Sequence, residues 1–264
     1  MNIFFRELKV NLKSSLFWCL GIILTVAGGM SKFSAAYKSG QSMNDLMAKM
    51  PKMIQALFGI GSFDLSKASG FYGVLFSYLV LIAVIHAALL GASLISKEER
   101  DKTSEFLYSK PITRNKIISQ KMLASFLTIL LITIISLFSS LSMMSNYSQG
   151  EPINTLILSY ILGLFFMQLF FLALGLVISA IFKSPKTAPS IVSGFLLFFF
   201  FLYKLSDMHV SLNILKYMTP FAYFDAFQIK TWGLNTYSLI LFVILVTGMV
   251  IATFILYKKR DLII

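Results

Sequence analysis

Long apolar blocks separated by polar stretches run the length of the chain: Leu16 to about Ala36, Phe71–Ile95, Ile117–Met144, Thr155–Phe182, Ala188–Tyr203 and Tyr237–Tyr257. A helix rises 1.5 Å per residue, so about 20 such residues cross a hydrocarbon core of about 30 Å. The blocks are hydrophobic on every side, whereas the strands of a membrane barrel are short and alternate. The pattern predicts six transmembrane helices and an all-α, polytopic membrane fold. The fifth block is short, but Pro189 suits a helix start and GFLLFFFFLY is too apolar to be exposed.

Composition agrees: 57% of residues are hydrophobic and 13% charged, too little polarity to cover a water-soluble surface of this size. Cys19 is the only cysteine, which excludes a disulfide framework and a cysteine metal cluster. The net charge of +12 does not point to nucleic acid, because the basic residues sit between apolar blocks, where they set orientation and meet anionic lipid heads. With the N-terminus inside, fifteen of the 23 Lys and Arg fall on the inner side: Arg6, Lys9, Lys13, the seven from Lys97 to Lys121, Lys183, Lys186 and Lys258 to Arg260. The eight outer ones are Lys32, Lys38, Lys49, Lys52, Lys67, Lys204, Lys216 and Lys230. This bias predicts two cytoplasmic termini in a multi-pass protein of the cell membrane.

The connections carry their own patterns. Met1, Phe4, Phe5, Leu8 and Leu12 share one helical face, with Arg6, Glu7, Lys9 and Lys13 away from it, as in an amphipathic helix lying at the membrane interface before the first span. A positively flanked span start is the alternative, and the Ser34-Ala35-Ala36 run also gives the N-terminus some features of a secretory signal. In the outer segment 39–69, MNDLMAKMPKMIQALFGI reads as short amphipathic helices broken at Pro51 and Gly59. In 206–235, an aromatic-rich stretch punctuated by Pro220 reads as short re-entrant or interfacial helices, or as an aromatic belt.

The connection between the second and third spans, 96–116, is different. Lys97, Glu98, Glu99, Arg100, Asp101, Lys102 and Glu105 are all ionisable. Burying seven such groups at mid-bilayer would cost roughly 17–25 kcal/mol before pairing, so this piece lies in water. Glu98 and Lys102 are spaced to pair along a helix, Phe106 and Leu107 give it an apolar tip, Pro111 stops it, and Thr113 can cap the next helix. A charged helix with an apolar tip reads as a docking surface, with a solvated charge run as the alternative from composition alone.

At this loop the chain resembles the permease subunits of type-2 ATP-binding-cassette (ABC) exporters. Glu98, Glu99 and Arg100 match the charged lead of that family's loop, Thr103 and Glu105 its Thr-x-Glu, Phe106 and Leu107 its hydrophobic pair, and Pro111, Thr113, Arg114 and Lys121 the remainder. Lys102 stands where the family usually has glycine. The order of features along the rest of the chain is similar too: an N-terminal amphipathic helix, six spans, broken outer helices after the fifth and a basic tail. The resemblance implies one transmembrane permease domain over residues 1–264. It also implies that the loop is a coupling helix seated in a cytosolic ABC ATPase subunit, with Glu98, Glu99, Arg100, Thr103, Glu105, Phe106, Leu107, Pro111 and Arg114 at the interface. It further implies a dimer with a second permease copy or a sister permease, and outer helices that help close an external gate. His86, Pro220, Tyr223 and Phe224 are the candidate pathway or gate residues.

The chain itself has no G-x-x-x-x-G-K-[ST] loop, so ATP and Mg²⁺ are expected in the partner and no cofactor in this chain. An intramembrane protease is disfavoured: Glu98-Glu99 would need arginine at 103, where Thr103 stands, and His86 and His209 fall on unsuitable sides. No Gly-x-Ser-x-Gly elbow occurs. The alternative from another class is a secondary transporter or channel without an ATPase partner. Such proteins usually carry ionisable groups within their spans; His86 is the single exception here, and it reads either as lining a pathway or as a polar residue hydrogen-bonded between helices. A pathway lined by Phe, Met, Ser and Thr would favour an amphipathic substrate, such as a peptide, lipid or hydrophobic drug, over a small ion, the alternative being that these side chains face lipid or neighbouring helices.

Overall fold

The computed structural model describes residues 3–38, 43–51, 54–55, 58–60, 63–100, 113–147, 153–182, 184, 186–206 and 210–259. Its elements are α1 (Ile3–Lys38), α2 (Met43–Ala48), α3 (Ala68–Arg100), α4 (Arg114–Met144), α5 (Ile153–Ile181), α6 (Thr187–Ser206), α7 (Pro220–Tyr223), α8 (Ala226–Trp232) and α9 (Thr236–Lys259). Short 3₁₀ turns lie at Ser145–Tyr147 and Val210–Met218. There is no strand among the described residues. Six helices, α1, α3, α4, α5, α6 and α9, are long and apolar enough to cross a membrane, and they coincide with the six blocks of the sequence.

The N-terminal segment departs from the expected interfacial helix. Residues 3–38 form one uninterrupted helix of 36 residues, so the expected interfacial segment and the first span are one element. The chain has no proline before Pro51, so no residue of this helix lacks the amide hydrogen its ladder needs. Its buried ridge is Ile3, Glu7, Ser15, Cys19, Ile22, Val26, Met30 and Phe33. Phe5, Leu12, Leu16 and Phe17 point outward. Glu7 therefore faces the other helices and not water.

The other breaks fall where the sequence placed them. A helical turn resumes after Pro51, whose carbonyl accepts from the amides of Ile54 and Gln55, and Gly59 takes φ +69°. Pro220 opens α7 behind the cap residue Thr219. Gly233, at φ +75°, closes α8, a conformation that suits glycine at a helix C-terminus.

The six helices pack around the pair α3 and α5, which share the most extensive contact in the molecule. Gly91 of α3 lies against the Leu172 carbonyl of α5, where a Cβ would collide with it. A Cβ on Gly175 would meet the Ala88 carbonyl and the Ala92 nitrogen at 2.7 Å. Lipid tails are as apolar as side chains, so close backbone approach over small residues is what holds such helices together. Around this pair, α1 packs on α3 and α4, α9 packs mainly on α5, and α6 packs on α3 and α5.

Candidate functional site

The described starts of α1 and α4 and the ends of α3 and α9 gather at one end of the bundle, here the terminal end. Glu7, with a side chain only 2% exposed, lies 3.7 Å (Oε2) from the Lys97 ammonium and 3.4 Å (Oε1) from Arg6 Nη2. Lys97 also donates to Asn11 Oδ1 at 3.3 Å. These contacts fasten the start of α1 to the last turns of α3. On the other side of the charged connection, Thr113 caps α4 by accepting from the Lys116 amide, and Arg114 Nη1 donates to the Lys258 carbonyl at 3.4 Å. Cations near a helix C-terminus complement its exposed carbonyls. Lys121, expected among the lipid-facing charges, is 3% exposed and donates from Nζ to the Leu94 carbonyl at 2.8 Å. Below these contacts Ile95, Ile118, Ala180 and Tyr257 pack together, one residue each from α3, α4, α5 and α9.

Both stems of the segment 101–112 are thus tied to each other and to α1, α5 and α9. Of the residues expected to meet an ATPase, Thr103, Glu105, Phe106, Leu107 and Pro111 lie outside the described residues, while Glu98, Glu99 and Arg100 continue the backbone of α3. Arg114 is the one whose side-chain contact is visible, and it is held by α9.

At the opposite end, α7 and α8 are packed between the long helices. Thr219 donates to the Phe199 carbonyl at 2.9 Å, and Phe221 packs on Phe171 of α5 and Phe200 of α6 with ring centroids 5.5 and 5.6 Å apart. Phe224 packs on Phe242 of α9 at 4.7 Å and stacks on Phe166 of α5. Aromatic pairs at these separations add packing energy beyond area burial. Asp225 caps α8 by accepting from the Gln228 amide and also accepts from the Tyr203 hydroxyl. Tyr160 of α5 donates to the Ala226 carbonyl at 3.0 Å while stacking on Phe76 of α3. Lys230 donates to Ser69 at the start of α3, at 3.0 Å. A polar cavity of about 450 Å³, lined by Lys216, Tyr217, Tyr223, Gln228 and Asn235 among others, sits on this aromatic layer.

Pro220, Tyr223 and Phe224 are therefore brought together, whereas His86 is not with them. It lies six residues, about 9 Å, along α3 beyond Val80, the last α3 residue lining the cavity beside Phe221 and Phe224. Its ring packs edge-on against Trp18 of α1 at 5.6 Å. His86 Nδ1 and Asn11 Nδ2 are both buried without a hydrogen-bond partner, a condition that costs about 1–3 kcal/mol per atom.

Sequence reasoning missed two groups. In the sequence Glu7 groups with Arg6, Lys9 and Lys13 as the polar face of an interfacial helix, and Asn11 is not singled out. Gln168, fully buried in α5, accepts from Thr133 of α4 at 2.8 Å. Its signal was present as a lone side-chain amide in the middle of a 29-residue apolar helix.

Residues 1–262, nearly the whole chain, match the family described as ABC-2 family transporter protein. No curated protein matches the sequence.

Proposed function

The chain belongs to the ABC-2 family of transporter proteins and is accordingly a multi-pass permease component of an ABC transporter; from that premise we propose that it is the permease of an exporter. In this reading residues 1–264 act as one permease domain, both termini are cytoplasmic, and the protein resides in the cell membrane. A separate ATPase, binding ATP and Mg²⁺, docks on residues 96–114. Phe106 and Leu107 anchor the contact, and Glu98, Glu99, Arg100, Thr103, Glu105, Pro111 and Arg114 set its register. Two permeases, identical or sisters, enclose the substrate pathway between them.

The observation that carries this reading is a continuous mechanical connection. The stems of 101–112 are clipped to neighbouring helices by Lys97, Lys121 and Arg114. One stem is α3, which is locked to α5 through Gly91 and Gly175. Those two helices hold α7 and α8 through Tyr160, Phe171 and Ser69. A path of packed helices thus links the stems of the loop to the aromatic layer. That layer, with Pro220, Tyr223 and Phe224, is the proposed external gate. The six spans fill their own centre with side chains instead of lining a channel, which supports a pathway between two copies.

The test is the double variant Phe106→Ala with Glu105→Ala in a reconstituted complex. Loss of an aromatic anchor typical of interface hot spots removes about 2 kcal/mol or more of docking energy. The expected outcome is normal insertion with transport lost and ATPase activity no longer stimulated by substrate. Full coupled transport would mean that the loop is a solvated linker.

A further inference from the structure

A second site lies between α1 and α3, next to the Lys97–Asn11 contact at the stem of the charged connection and away from the aromatic layer. Asn11, Ser14, Ser15 and Trp18 of α1 face His86 and Ser93 of α3 across a cavity of about 150 Å³, with Leu89 and Leu90 as apolar wall. His86 is 96% buried, since only 4% of its surface is exposed, and its Nδ1 has no partner; nor has the amide nitrogen of Asn11. Asn11 and His86, on different helices, thus line one cavity and each carries a buried polar atom without a hydrogen-bond partner, so a further polar group is called for at this place.

The hydrogen bonds already made define that group. Ser15 donates its hydroxyl to the Asn11 carbonyl at 2.8 Å, and Ser93 donates to the Leu90 carbonyl at 3.1 Å. Both hydroxyl protons are used, so these two oxygens offer lone pairs. The Asn11 amide offers N–H, while its oxygen is taken by Lys97. The imidazole accepts at one nitrogen and donates at the other when neutral. No charged residue lines the cavity. A complementary group carries donors and acceptors together and no charge. An anionic phosphate would meet serine lone pairs, and the nearest cation, Lys97, is already engaged by Asn11 Oδ1 and by Glu7.

The volume limits the group as well. At about 30 Å³ of liquid volume per water, 150 Å³ holds roughly five water-sized units, enough for a head group and not for a whole amphiphile. The cavity edge at Leu89 continues into Ile82 and Ile85, half-buried residues of α3 that form an apolar strip one and two turns away. A tail would lie on that strip.

We propose that the cleft formed by Asn11, Ser15, His86 and Ser93 seats the neutral, hydroxyl- or amide-bearing head of an amphipathic molecule whose chain lies along α3. Its meaning as a substrate site rests on the transporter reading, but the binding does not. The head enters beside Asn11 and Ser14, and Trp18 and His86 form the floor.

The chain's two tryptophans make the test direct. Trp232 is 85% exposed, so Trp232→Phe leaves Trp18 as the only tryptophan at little structural cost. The full-length variant, without ATPase or ATP, is placed in phosphatidylcholine nanodiscs and titrated with monooleoylglycerol, N-oleoylglycinamide, oleoyl lysophosphatidate and glycerol. A saturable change in Trp18 emission is expected with one or both of the first two, and which of them gives it identifies a hydroxyl or an amide head. No saturable change is expected with the phosphate-headed lipid or with glycerol. Asn11→Leu with His86→Phe should weaken the response at least tenfold. Ser14→Leu, at the exposed rim, should do the same without touching the buried residues. Absence of a response to both neutral amphiphiles, an equal response to the phosphate head or to free glycerol, or full binding in Ser14→Leu would each overturn the proposal. Because no ATPase is present, failure here is separable from failure of the coupling experiment.

Discussion

Helices α5 and α9 look alike as sequence and differ as structure. Both are long apolar runs that would span a bilayer, yet 61% of the apolar window of α5 is buried inside the protein against 11% for α9. The difference lies in the small and polar residues. Helix α5 carries Gly163, Gln168, Ala173, Gly175 and Ser179, all buried: Gly175 lets α3 approach closely, Gln168 accepts from Thr133 of α4, and Gly163 lies against Phe224 and Ile229. Helix α9 buries only Ser238, Phe242, Thr253 and Tyr257 along one edge, and a Cβ added to Gly248 would meet nothing within 4 Å. A hydrophobic span is thus either a hub or a wall. Its small residues reveal which only when they face a neighbour.

The strongest test of this contrast exchanges glycine for leucine on each helix. Gly175→Leu should prevent the α3–α5 crossing, at or beyond the upper end of the roughly 1–3 kcal/mol usual for overpacking, because backbone atoms block the new side chain. Gly248→Leu should insert and melt like the parent. Thermal melting followed by size-exclusion in detergent separates the two, and an intact Gly175→Leu protein would mean that the α3–α5 contact is not close.

Within α9 the same contrast can be sharpened. Phe242 is 1% exposed and touches Phe170, Tyr223 and Phe224, whereas Ile244 is 63% exposed. Truncating a buried phenylalanine costs up to about 3–5 kcal/mol in well-packed cores. Phe242→Ala should lower the melting temperature and loosen α7, read as faster hydrogen exchange at 220–224. Ile244→Ala should leave both unchanged.

A smaller effect is expected at the terminal end. Replacing Glu7 by leucine takes the carboxylate away from Lys97 and Arg6, and contacts to a charged group contribute about 1.5–3 kcal/mol. The first turns of α1 should detach, read as raised hydrogen exchange over 3–15, while α5 stays protected. Unchanged exchange there would show that packing alone holds α1.

The smallest effect concerns a clip outside the bundle. Asp64 Oδ1 accepts from the Ser66 hydroxyl at 2.6 Å and from Asn44 at 2.7 Å, which together hold its carboxyl at about 2, below the ordinary carboxylate range. A depressed value means the clip contributes fully above the ordinary carboxylate pKa and is lost as pH falls through about 2. Hydrogen exchange at 43–48, corrected for intrinsic rates, should rise over that window, and Asp64→Asn should abolish the pH dependence. Because the carboxylate is exposed, the melting temperature of the bundle should hardly move.

The spans were legible because the bilayer imposes a length. The predicted block 155–182 appears as Ile153–Ile181, and 188–203 appears as Thr187–Ser206. The breaks at Pro51, Gly59 and Pro220 were legible because proline lacks a donor and glycine tolerates positive φ. The first helix was misread at Glu7, since a polar face on an amphipathic segment does not state whether it meets water or another polar face. Pro220, Tyr223 and Phe224 could be grouped from the sequence, but His86 could not be assigned to a cleft, because its neighbours Asn11 and Trp18 lie some 70 residues away in the chain.

By itself, then, the sequence determined the number of spans, the helical class, the charged connection and the breaks in the outer segments, because each follows from local composition acting against a fixed solvent geometry. Only the tertiary structure decided which apolar helix is central, that Glu7 and Lys121 are internal fasteners, and that Asn11 and His86 share a cavity. Those facts depend on which faces meet, and in a membrane hydrophobicity does not choose between lipid and protein. Close backbone approach and a few hydrogen bonds do, and both are properties of pairs of helices.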